Sequence, residues 1–270
     1  MKYSKFVAWL LFYSLSLGAL AQTDSQIEIA QTIKPVLEKI SNSLLPAERL
    51  MRYTVRKVIK GRFLPDIPVT ESHNVRLATN GVYVDAMQEK GEKFLTTSTV
   101  FTACGVFELA LTSGSTTQVR QTIAFPIGKI LVPLVAGASQ YSAINKLIDA
   151  SGEVEQACFP QAGMALKYQW TVTARGVQKS FFTTQSETTN VYSADCTVGT
   201  ALAASLLNQK LRGEYLPIAC DVQKDGSEAS KNNYAFLIND RYQILLSSSG
   251  DRLSSFSEII DAEYGRVDER

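Results

Sequence analysis

Apolar and polar residues alternate with period two over much of the chain, the pattern of strands that bury one face and leave the other in water. Met164, Leu166, Tyr168, Trp170 and Val172 take one parity, while Lys167, Gln169, Thr171 and Thr173 take the other. "ARGV" at 174–177 then reads as a turn that sends the chain back through "QKSFFTT". Phe107, Leu109 and Leu111 form another such run, followed by a turn at "TSGS" and a strand through Val119, Ile123 and Phe125. Asn80-Gly81, between "NVRLA" and "VYVDA", is a two-residue hairpin signal because both residues tolerate positive φ. "EKGE" at 89–92 marks a further reversal, and "YAFLI", Asn239-Asp240 and "RYQILL" make a hairpin near the end.

Helical spacing is rarer. Ile27, Ala30, Ile33, Leu37, Ile40 and Leu44 share a helical face, and Ser25 with Glu28 resembles a capping box. Pro35 interrupts that face, which predicts a kink or a late start. "SQYSAINKLIDASG" at 139–152 reads as a short helix closed by Gly152. Thr200 caps another, with Leu202, Leu206 and Leu211 at helical spacing and Gly213 as its stop, before "EYLPIACDV" enters a strand. Short connections favour antiparallel pairing. The fold class that follows is β-rich α+β: mainly antiparallel sheet, a sandwich or a partly open barrel, with a few short helices. An N-terminal helical segment covers 22–46 and a β-rich domain 47–270; if that domain divides, the boundary falls near 135–160. "KGRFLP" at 60–65 resembles "RGEYLP" at 212–217, but their flanks differ, so both read as strand entries rather than as copies of one module.

The first residues set the compartment. Lys2 and Lys5 precede an apolar run from Phe6 to Leu17, and Ala19-Leu20-Ala21 supplies the small residues of a cleavage site. Residues 1–21 therefore read as a signal peptide cut before Gln22, which leaves no transmembrane anchor. No cysteine follows the cut closely enough for lipid attachment, since the first is Cys104. Losing two lysines leaves 25 basic residues (27 less 2) against 26 acidic ones, a net charge of −1 with no global pull toward nucleic acid. Alternation in an exported chain also invites a porin-like barrel. Uneven spacing, interrupting helices and the charged end "GRVDER" argue instead for a soluble envelope protein, periplasmic or secreted.

Export gives the four cysteines an oxidising destination. Three pairings exist; the compact segment between Cys196 and Cys220 favours joining those two, which leaves Cys104 with Cys158. No C-x-x-C pair suggests zinc, and a single histidine, His73, rules out H-E-x-x-H. His73 reads as a surface or hydrogen-bonding residue at a strand start. G-x-S-x-G, Ser-x-x-Lys and glycine-rich phosphate loops are missing from the chain after residue 21. Asp221, Asp225 and Gly226 match part of a calcium loop, but Asn232 stands where the bidentate glutamate belongs, and a Lys-Asp-Gly-Ser turn accounts for them more simply.

A basic run remains: Arg49, Arg52, Arg56, Lys57, Lys60 and Arg62 fall within fourteen residues. In a strand, Arg52, Thr54 and Arg56 share one face and Met51, Tyr53 and Val55 the other. Arg52, Arg56, Lys57, Lys60 and Arg62 are thus a candidate surface for an acidic envelope partner, or a solvated edge whose charges discourage aggregation. The function expected is non-catalytic binding of an envelope ligand or partner, without a cofactor or metal. A ligand cleft would be lined by residues such as Trp170 and Tyr168. The alternative is an envelope polysaccharide or peptide hydrolase whose carboxylates no motif identifies.

Overall fold

A computed structural model describes residues 29–43, 48–62, 64–78, 80–92, 94–117, 139–179, 183–226 and 230–266. The expected signal peptide, the expected Ser25–Glu28 cap and the strand expected through Val119, Ile123 and Phe125 lie outside these residues.

Helix α1 (Lys34–Ser41) precedes β1 (Glu48–Gly61), β2 (Leu64–Leu77), β3 (Val82–Lys90), β4 (Phe94–Ala103), β5 (Phe107–Thr117) and β6 (Ser139–Gly152). Helix α2 (Val154–Cys158) leads to β7 (Ala165–Lys179), β8 (Thr183–Val198) and the two-residue β9 (Leu202–Ala203). The chain ends with β10 (Glu214–Lys224), β11 (Ser230–Leu237), β12 (Tyr242–Ser249) and β13 (Leu253–Arg266). Apart from β9, which adds only to β10, each strand pairs antiparallel with the next in sequence, and β13 returns to pair with β1. The result is a closed barrel of twelve strands. The β-rich antiparallel expectation holds. The closed barrel is more specific than the sandwich or partly open barrel expected: the first and last strands meet from Glu48↔Arg266 to Gly61↔Leu253, while β12 and β13 pair over only three residues.

Two of the expected helices do not form. Residues 139–152 form β6, paired with β5 and β7, and two flanking strands outweigh a weak local helical period. Of the helix expected from Thr200 only a single 3-10 turn exists, Ala204–Leu206. "TSGS" and "ARGV" are not turns either, since β5 and β7 run straight through them. Asn80-Gly81, "EKGE" and Asn239-Asp240 do turn the chain. Helix α1 starts late, with Pro35 in its first turn, where a missing N–H costs nothing.

Along β3, β4 and β5, Val84, Phe101 and Ala110 face outward by register yet are buried. Ile33, Val36, Leu37 and Ile40 of the α1 segment belong to the same core cluster, so this segment covers the lower outside of that wall. It is fixed by Thr32 Oγ1 to Asp149 (3.1 Å), by Lys39 to Glu155 of α2, and by the Leu37 carbonyl against Gly81. Elsewhere the outward faces carry ion pairs, Arg52–Glu263, Arg56–Glu258, Lys60–Asp66, Lys167–Asp195 and Arg175–Glu187, alongside exposed apolar side chains such as Ile144 and Phe256.

Inside the lower end, the β11–β12 turn crosses to the opposite wall. Tyr83 donates its hydroxyl to the Asp240 carbonyl (2.6 Å), and the backbone of Gln243 lies against Gly105, where a Cβ would come within 2.7 Å of the Gln243 nitrogen. Both disulfides are present with the expected pairing. Cys104–Cys158 ties the β4–β5 turn to α2, and Cys196–Cys220 joins directly opposed residues of β8 and β10. The second bond therefore links two strands rather than a helix and a strand. Two disulfides fit folding in an oxidising, extracytoplasmic compartment.

Two outcomes follow for stability. Replacing either cysteine pair with alanine should lower stability by about 3–4 kcal/mol on the chain-entropy estimate for loops of 24 and 54 residues; unchanged melting under oxidising conditions would refute the role given to that bond. Gly81→Ala places a Cβ 2.4 Å from the Leu37 carbonyl at φ +80°, so it should cost about 2 kcal/mol or more and loosen α1, readable as lower Tm and faster proteolysis before residue 48.

Candidate functional site

Three adjacent strands gather a cluster of polar residues that includes the buried Glu71, His73 and Asp85. Tyr53, Val55 and Lys57 on β1, Val69, Glu71, His73 and Val75 on β2, and Asp85, Met87 and Glu89 on β3 share the inward face by register. Glu71 and His73 are each 7 % exposed and Asp85 5 %. Lys57 Nζ donates to Glu71 Oε1 (2.7 Å), and Glu71 Oε2 lies 3.6 Å from His73 Nε2. His73 Nδ1 is 2.8 Å from Asp85 Oδ2, which also accepts the Tyr242 hydroxyl (3.0 Å). The Tyr53 ring stacks on the imidazole, 4.1 Å between centroids and 7° from parallel.

In this row Lys57 and His73 contact two carboxyl groups, Glu71 and Asp85, and Glu89 is a third acid on the same face. Burial alone would strip the proton from His73, but hydrogen bonds to Asp85 and Glu71, and their charges, raise its pKa from 6.5 to about 9. Burial pushes Glu71 up, and contacts with His73 and Lys57 more than reverse it, holding the carboxyl below its ordinary value. Glu89 titrates higher than usual, through burial and then repulsion by Glu71. Tyr53 and Tyr242 stay neutral phenols because burial, above all, raises them. A general base needs a neutral nitrogen within reach of the reacting atom. Here both ring nitrogens face carboxylates and the ring holds its proton, so the arrangement suits an internal strut rather than acid–base catalysis. His73 is the hydrogen-bonding residue expected, but it sits in mid-strand and inside the barrel rather than at a strand start or on the surface.

A second grouping lies on the wall from β5 to β8. Phe107, Tyr168, Trp170 and Tyr192 form a ladder of rings with centroids 5.3, 5.6 and 5.2 Å apart. Trp170 and Tyr192 are opposed across β7 and β8 and stack at 15°. The ladder begins with the fully buried Phe107 and ends with the half-buried Trp170 and Tyr192. Glu108 accepts a hydrogen bond from Asn145 Nδ2 (2.9 Å). Burial raises its pKa, and the Asn145 contact offsets part of the rise. Tyr192 is raised by burial, then by the charges of Asp225 and Glu108, which therefore lie within electrostatic reach of its hydroxyl. This wall offers ring faces, an amide and a carboxyl that gains a proton easily.

The residues singled out in the sequence are dispersed. Arg52, Arg56 and Lys60 face outward and pair with acids of β13 and β2, while Lys57 points inward to Glu71. Arg62 follows β1 in the turn to β2. Asp225 spends one oxygen on the Val191 N–H (2.7 Å), and among the described residues no group of three or more His, Cys, Asp or Glu side chains could hold a metal ion. Glu71, Asp85, Glu108 and Tyr192 were not anticipated. The signal for the first was present: Val69, Glu71, His73 and Val75 alternate in "VTESHNV", which puts two polar side chains on an apolar face.

His73 makes the stability of the barrel depend on pH in a definable window. Its proton is held to about 9 in the fold and to about 6.5 when unfolded, so its contribution is complete below about 6.5 and disappears as pH rises through about 9. Relative to His73→Gln, the parent should lose on the order of 3 kcal/mol between pH 6 and pH 10; a constant difference in unfolding free energy across that range would refute the charged strut. Comparison with known proteins adds no relative: no family model, curated protein or solved structure matches this chain.

Proposed function

We propose that this chain is an exported, non-catalytic barrel, periplasmic or secreted, that binds a small ligand on the inner wall between β5 and β8. The observation that carries the reading is the ring ladder, which grades from buried Phe107 to half-buried Trp170 and Tyr192 beside Glu108 and Asn145. Partly exposed rings with a few converging polar groups are the usual furnishing of a binding site. The ligand that fits has a flat apolar face and at least one hydroxyl or amine to donate to Glu108. Recruitment of an acidic partner through β1 has less support, because Arg52, Arg56 and Lys60 already have acidic neighbours. Hydrolysis has less still, because Glu71 and Asp85 are both engaged with His73.

Only two tryptophans occur in the chain, and Trp170 is the one beyond the signal peptide, so intrinsic fluorescence reports on the ladder directly. Native mass spectrometry of protein purified from its own envelope should reveal a retained small molecule. Adding that molecule back to stripped protein should shift Trp170 emission. Trp170→Ala should abolish retention, and Glu108→Gln should weaken it about tenfold, the loss of one hydrogen bond to a charged acceptor. A parent protein that carries nothing, and whose emission does not respond to an envelope extract, would overturn the proposal.

A further inference from the structure

The strands of the barrel have unequal heights. β8 pairs with β7 over its full length, from Thr183↔Lys179 to Thr197↔Ala165. Its pairing with β10 stops at Tyr192↔Lys224, where the Asp225 N–H donates to the Val191 carbonyl and closes the ladder. Above that point, Thr184 to Thr189 are exposed at every position, on both faces of the sheet. Among the described residues no strand pairs with this edge of β8. Natural proteins blunt such edges with lysine, proline or a bulge. Here there is none of these, and the one charge, Glu187, is taken up by Arg175 of β7 at 2.7 Å.

We propose that this edge pairs with the same edge of a second copy, so that two barrels share a continuous antiparallel sheet. The sequence of the edge supports that occupant. "TTQSETT" at 183–189 reads almost the same in both directions about Ser186. A two-fold axis through Ser186 sets Thr184 opposite Thr188 of the second copy and Gln185 opposite Glu187. Threonine pairs favour sheets, and an amide beside a carboxylate supplies a donor. Directly opposed residues of an antiparallel pair must turn their N–H and C=O the same way, so the two residues of each self-pair share parity and the axis passes through a residue rather than between two. Moving it one residue on, to Glu187, would set like charges face to face. The contact is isologous and closes at two copies. One strand edge falls short of the roughly 800 Å² per partner of a standard interface, so the dimer is weak and depends on concentration.

The test is sedimentation equilibrium on the mature, oxidised protein over a wide concentration range. The parent should shift from monomer to dimer as concentration rises. Ser186→Lys sets two ammonium groups on the axis, and Ser186→Glu sets two carboxylates there; each variant alone should remain monomeric with an unchanged far-ultraviolet spectrum. An equimolar mixture of the two should dimerise more tightly than the parent, and added salt should weaken that mixed dimer. A parent that stays monomeric throughout, a Ser186→Lys protein that dimerises like the parent, or a mixture that fails to associate would each overturn the proposal.

Discussion

The pairing of β1 with β13 is the constraint on which the rest of this molecule depends. These strands begin and end the described sheet, and they must meet across the whole intervening chain before the barrel has an inside. Loop closure over that separation is entropically costly and slow relative to the local hairpins. The two disulfides shorten the problem. Both fall among elements that lie between β1 and β13, and each removes freedom from the unfolded chain. Once the ring closes, the inward row of β1, β2 and β3 is withdrawn from water. Lys57, Glu71, His73 and Asp85 then offset the cost of burial through their contacts with one another.

A second consequence lies on the other side of β13. Its pairing with β12 is short, from Ser247↔Phe256 to Ser249↔Ser254. Below this the two strands separate, and the lower half of β12 carries Tyr242 across to Asp85 while Asp240 receives the Leu50 N–H (2.8 Å). The exposed side of β13 is not left open, because Asn208 donates to the Ile259 carbonyl (2.8 Å) from the segment after β9. The polar cluster is therefore a product of topology. A regular twelve-strand barrel would be too wide for opposite walls to touch, and the inward fold of the β11–β12 turn supplies Tyr242, whose hydroxyl completes the network at Asp85.

What was legible in the sequence follows from which interactions are local. Alternation in β7 and β10, the turn at Asn80-Gly81 and the late start of α1 at Pro35 each depend on a few neighbouring residues, and each is present as read. β6 was misread because Tyr141, Ile144 and Ile148 recur at helical spacing, and only pairing with β5 and β7 decides for a strand. "TSGS" and "ARGV" have turn composition but lie within long paired strands, where the ladder overrides local preference. Closure itself has no local signature, since a strand that meets its neighbour and a strand that ends a sheet are written alike. The same holds for the candidate sites. Glu71 and His73 could be placed on a buried face from their parity, but their partners Lys57, Asp85 and Tyr242 come from three other strands.

The wall from β5 to β8 obeys a different balance. Its lower part is held by ring packing and by the Cys196–Cys220 bond, within reach of a buried core. Higher up, beyond Tyr192, the opposed pairs become Val172 with Asn190, Ala174 with Thr188 and Gly176 with Ser186; Val172 is the last large side chain of the core, and on β8 every position from Thr184 to Thr189 is exposed. Ladder hydrogen bonds and cross-strand pairs such as Arg175–Glu187 and Thr173–Thr189 (3.2 Å) hold this extension, each worth well under a buried ring. A sheet maintained by its ladder alone gains from any further strand that satisfies its open edge, whereas a sheet maintained by a core does not. Tyr192 sits where one regime gives way to the other. It is the last ring of the packed wall, with Asn190 the one inward residue between it and the exposed stretch from Thr184 to Thr189, so the two proposed contacts, a ligand on the ladder and a strand on the edge, would meet on the same stretch of β8.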